Sequence, residues 1–154
     1  MSEHHAGVRW RNSSADFSYD TYDRAHDVTF KKGAIVVPSS AAPTFKGDAN
    51  RVDPEEAFVG SLASCHMLTF LALCARKRLT VESYEDDAVG IMEKNSSGKL
   101  WVSRVTLRPR ITFAVGTDVN TNTLAEIHHK SHEECFIANS VKTVVSVEPQ
   151  PAAN

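Results

Sequence analysis

The chain has 154 residues, enough for one domain with a real core, and residues 1–154 are expected to form a single domain. Apolar residues make up 42 % and charged residues 23 %, and the formal net charge is −2, with both signs spread along the chain. No basic stripe or acidic tail points to nucleic acid or to a membrane surface.

The opening "MSEHHAGVRWRN" lacks the apolar stretch and cleavage site of a secretory signal. The N-terminal third reads as strands. "FSYDTYDRAHDVTF" alternates aromatic or β-branched residues with polar ones, and "GAIVVPS" follows Lys31, Lys32 and Gly33. Residues 38–52, "PSSAAPTFKGDANRV", carry the Pro, Ser and Gly of a loop.

A helix then begins with clear signals. Asp53 suits the N-cap, Pro54 the first helical position, and Glu56 the reciprocal place of a capping box. Arg76, Lys77 and Arg78 favour its other end through the helix dipole. About 25 helical residues follow, near 37 Å in length. Residues 57–75 contain no Asp, Glu, Lys or Arg, which approaches membrane-spanning length. The run includes Gly60, Ser61, Ser64, Cys65, His66 and Thr69, and a buried helix of a soluble core gives the same pattern. That second reading is preferred, so no membrane association is expected.

Strands are predicted around 79–93, a turn at 95–98, and a strand at 100–115 in which Val105, Leu107, Ile111, Phe113 and Val115 share one face. Pro109 makes that strand an edge or a bulge. Residues 121–134 read as a second helix, and "TVVSVE" as a closing strand. The order is βββ–α–βββ–α–β, an α/β (α+β) chain.

The three cysteines, Cys65, Cys74 and Cys135, are odd in number and widely spaced. That is not a structural disulfide framework, and it suits a reducing cytoplasm. Cys65 and Cys74 lie on opposite faces of one helix about 13 Å apart, too far to pair. Cys135 is the one intrachain partner left for Cys65, provided the two helices pack. From the helix alone, Cys65 is either a small buried hydrophobe or a reactive thiol. Cys74 reads as packing.

"VDPEEAFVGSLASCHM" resembles the "NPEE…C" segment of the OsmC/organic hydroperoxide resistance family, and "AEIHHKSHEECFIANSVKTVVSVE" resembles that family's second-cysteine segment. The order of elements matches too. The resemblance implies an OsmC-like fold, an intertwined homodimer whose sheets wrap long central helices. It implies a thiol peroxidase that reduces organic hydroperoxides to alcohols. Cys65 falls at the peroxidatic cysteine, Cys135 at the resolving cysteine and Glu55 at the motif's glutamate. For the family's arginine, Arg24 in "YDRAH" is the first choice and Arg51 the second. A lipoyl-type dithiol would be the reductant, with no metal or bound cofactor. Phe58, Met67 and Phe136 would line an apolar pocket.

Glu55 and Cys65 are about 15 Å apart along one helix, too far to serve one arginine. The small residues Gly60, Ser61, Ala63 and Ser64 between them suit an antiparallel helix crossing in a homodimer, where Glu55 of one chain meets Cys65 of the other. Two alternatives stay open: a non-catalytic small-molecule-binding protein on the same fold, and a metal-binding protein using His128, His132 and Cys135.

Overall fold

The computed structural model describes residues 1–151. The chain divides into two compact units, residues 1–57 and 58–154.

The first unit is an antiparallel meander of β1 (Ala6–Arg9), β2 (His26–Phe30) and β3 (Ile35–Ser39). Val8 faces Val28, and Val28 faces Val37. Residues 17–25 were expected to extend the strand and do not. Their polar side chains make local turn contacts instead: Thr21 Oγ1 donates to the Asp16 carbonyl at 2.9 Å, and the Thr21 and Tyr22 amides donate to Ser18 O. Ser, Thr and Asp compete with a ladder in this way. Of residues 38–52, expected as a loop, Pro38 and Ser39 complete β3 and Pro43–Phe45 form a short 3-10 turn; the rest is loop, drawn back by a parallel bridge between Ser39 and Val52.

Helix α1 (Pro54–Arg76) starts as read. The Glu56 amide donates to Asp53 Oδ1 at 2.7 Å, and the Asp53 amide to Glu56 Oε2 at 3.1 Å. At the other end Arg78 sits at φ 59°, the Arg78 amide donates to Ala75 O and the Leu79 amide to Cys74 O. This is a Schellman stop with arginine where glycine is usual.

The second unit contains β4 (Val81–Asp86), β5 (Val89–Lys94), β6 (Leu100–Leu107), β7 (Pro109–Phe113), α2 (Thr121–Glu134) and β8 (Val144–Val147). β4 pairs with β7, and β6 lies between β5 and a parallel β8. The single strand expected over 100–115 is thus two strands in two sheets. Pro109 lacks an amide, and the Arg108 amide is taken by Asp86 Oδ1 at 2.7 Å, so the ladder breaks there. Val115, expected to share a face with Ile111 and Phe113, is fully exposed beyond the end of β7.

Along α1 the buried residues recur every fourth position: Leu62, His66, Phe70 and Cys74. Leu62 enters a core with Val105 and Leu107. Phe70 and Cys74 enter another with Ile111 and Ile127. By length and composition α1 could cross a membrane, with a mean hydropathy of 1.7. Its stripe instead packs on two small sheets, while Gly60, Ser61, Ser64 and Leu68 stay exposed.

Candidate active site

Cys65 lies midway along α1. Cys135 is the C-cap of α2, where the backbone leaves the helix at φ −70°, ψ 111°. The structure brings these two together across seventy residues of sequence. They are side by side, close enough for the two thiols to interact, and both are free.

The two sulfurs differ in setting. Cys65 is half-buried and Cys135 is 1 % exposed. Burial pushes the Cys135 thiol up to about 11, and the neighbouring Cys65 thiol pushes the same way. The nearby backbone amides of Ala138 and Ile137, in the tight turn after α2, partly offset this. Cys135 is therefore the buried sulfur of the pair and Cys65 the accessible one. Cys74 is buried in the Phe70 core, its thiol also raised to about 11 by burial, in keeping with packing.

Arg24 and Glu55 both lie in the first unit. Arg24 is 8 % exposed. Its guanidinium donates to the carbonyls of Tyr22 (2.9 Å) and Tyr19 (2.6 Å) and lies 4.0 Å from the Tyr22 ring centre. It borders a cavity of about 620 Å³ walled by Val8, Trp10, Phe17 and Tyr22. Arg51 pairs with Asp48 at 3.6 Å. Among the described residues Glu55 forms no ion pair, with Arg24 or any other cation. It stands half-buried in the first turn of α1. Of the expected pocket residues, Phe58 packs against the Leu62 core and Phe136 is 80 % exposed.

The His128, His132 and Cys135 metal set does not assemble. Among the described residues no three His, Cys, Asp or Glu groups converge on one point. His128 is instead bonded to His66 in the interior, and the Cys135 thiol lies against Cys65.

Sequence reasoning missed the partner of His66. His66 Nε2 and His128 Nδ1 are 3.2 Å apart in the buried interior. Burial lowers both imidazoles to about 4, with His128 and His132 adding to the effect on His66. The signal was present: His66 falls on the buried phase of α1, four residues after Leu62 and four before Phe70.

An antiparallel meander, a long apolar helix, two small sheets and a returning helix that presents a second cysteine together define an OsmC-like α/β fold. The family model for OsmC-like protein matches residues 47–150. The chain belongs to that family. A solved OsmC-like protein of unknown function from Vibrio cholerae shares 46 % identity and a TM-score of 0.92, over 97 % of this chain and all of that one. An organic hydroperoxide resistance protein OsmC from Legionella pneumophila superposes at a TM-score of 0.70 with 15 % identity, over 99 % of this chain and 98 % of that one. The uncharacterized protein YmaD of Bacillus subtilis is 21 % identical over 121 residues, 78 % of this chain and 80 % of its own.

Proposed function

We propose that this protein is a cysteine-based peroxidase that reduces organic hydroperoxides to alcohols. The observation that carries the reading is the meeting of an accessible Cys65 with a buried Cys135. Solved neighbours named as organic hydroperoxide resistance proteins support it at the level of fold.

The Cys65 thiolate attacks one peroxide oxygen, the O–O bond breaks, and the alkoxide leaves as alcohol with a proton. Cys65 becomes a sulfenic acid. Cys135 then attacks that sulfur, its proton leaves with the hydroxyl as water, and a Cys65–Cys135 disulfide forms. The Ala138 and Ile137 amides stabilise charge growing on Cys135 during this step. A dithiol of lipoyl type would return both thiols by exchange, in a reducing cytoplasm.

Arg24 is the cation assigned to holding the peroxide and the Cys65 thiolate. The aromatic cavity beside it suits a bulky organic peroxide better than hydrogen peroxide. Glu55 is assigned to orient that arginine through a charge-assisted pair. This assignment requires a homodimer with α1 crossing its copy near Gly60. In favour, Gly60 has nothing within 4 Å of an added Cβ, and the Ser61, Ser64, Leu68 face is open.

The test is a thiol count. One equivalent of an organic hydroperoxide should take the reduced protein from its three thiols to Cys74 alone within seconds, with mass spectrometry placing the bond between Cys65 and Cys135. A folded protein that keeps all its thiols would be a binding relative, and the peroxidase reading would fall.

A further inference from the structure

One buried polar contact joins α1 to α2, and it involves the residue next to Cys65. The His66 and His128 rings are parallel within 6°, with centroids 5.5 Å apart. Phe70 stacks on His128 at 4.5 Å. His66 is 0 % and His128 3 % exposed. Neither ring takes part in the proposed peroxidase reaction.

The contact is a costly one. The second nitrogen of each ring, His66 Nδ1 and His128 Nε2, is buried with no hydrogen-bond partner among the described residues. Apolar side chains could fill the same volume and leave no buried polar atoms to satisfy. The best-attested use of such a buried polar contact is to select one register between packed elements. The surrounding core of Phe70, Cys74, Ile111 and Ile127 is held by non-directional apolar packing, which tolerates small slides and rotations. A hydrogen bond at 3.2 Å does not.

Its position matters. On α1, His66 directly follows Cys65. On α2, His128 precedes Cys135 by about two helical turns, so both lie on nearly the same side. A small slip of α1 against α2 would therefore separate the sulfurs while leaving the apolar core largely packed.

We propose that the His66–His128 hydrogen bond is a register key that places Cys65 against Cys135, and that both histidines are positioning residues for disulfide formation. The biological use of the key rests on the peroxidase reading; its effect on the two thiols does not.

The test therefore uses two oxidants. The disulfide equilibrium is measured in glutathione redox buffers, and disulfide formation is timed separately with an organic hydroperoxide. The double variant His66→Phe/His128→Leu should stay folded, with a thermal midpoint equal to or above that of the parent, yet lose on the order of tenfold in its disulfide equilibrium constant, about 30 mV. In the single variants, His128→Asn places an amide where Nδ1 stood and should keep the parent value. His128→Gln, of similar size, places it elsewhere and should not. If the double variant does not fold, that Asn and Gln contrast decides.

An unchanged equilibrium constant in the double variant, or equal values for Asn and Gln, overturns the register key whatever the peroxide does. If glutathione reveals the loss but peroxide oxidises neither protein, the key stands and the peroxidase reading falls. If the parent forms no Cys65–Cys135 bond in either oxidant, both fall.

Discussion

Acidification should destabilise this protein through His66 and His128, and the size of the effect follows from their burial. Both imidazoles lie at about 4 in the folded chain against 6.5 when exposed. Burial is the main cause for each. A folded value below the unfolded one means that the unfolded chain takes protons that the native chain refuses. The contribution is fully present above pH 6.5, is lost as pH falls from 6.5 to about 4, and levels off below that. A tenfold difference in proton affinity between the two states is worth about 1.4 kcal/mol, so each histidine accounts for about 3 kcal/mol across the window. Urea unfolding at pH 7, 6, 5 and 4, compared between the parent and His66→Phe/His128→Leu, isolates the effect. The half-buried Asp86 carboxyl works with the opposite sign, since desolvation raises it, but it is common to both proteins and cancels. The parent should lose several kcal/mol more than the double variant between pH 6.5 and 4. Parallel curves for the two proteins would refute the burial argument.

Arg78→Gly should stabilise the chain by about 1 kcal/mol in thermal or urea unfolding, because arginine at φ 59° carries a left-handed penalty that glycine lacks. Asp53→Ala removes the acceptor of the Glu56 amide and should cost about 1 kcal/mol by the same measurement. Cys74→Ser buries a hydroxyl in the Phe70 core and should lower stability by about 1–3 kcal/mol. Its two remaining thiols should nonetheless both disappear on addition of one equivalent of organic hydroperoxide, as titration with a thiol reagent would show.

Much of this molecule is written in local patterns. The start of α1 is legible because Asp53, Pro54 and Glu56 act within one turn, and their reciprocal bonds depend on nothing distant. The bounds of α2 and the closing strand follow from periodicity in the same way. The two cysteine segments were enough to suggest the family, which the match over residues 47–150 shows. Tertiary structure decided what depends on partners far along the chain. Residues 17–25 alternate like a strand, yet side chains from Asp16 to Thr21 claim the backbone for turns. Asp86 takes the Arg108 amide from twenty-two residues away and splits one expected strand into two sheets. The metal ligands imagined on α2 never assemble, because the His128 ring is taken by His66 and the Cys135 thiol lies against Cys65. His66 and His128 are sixty-two residues apart, and no spacing rule links them. Short-range capping and periodicity are properties of the chain itself. The contact of Cys65 with Cys135, and of His66 with His128, exists only after the helices have packed, because a hydrogen bond between side chains needs a distance that sequence separation does not contain.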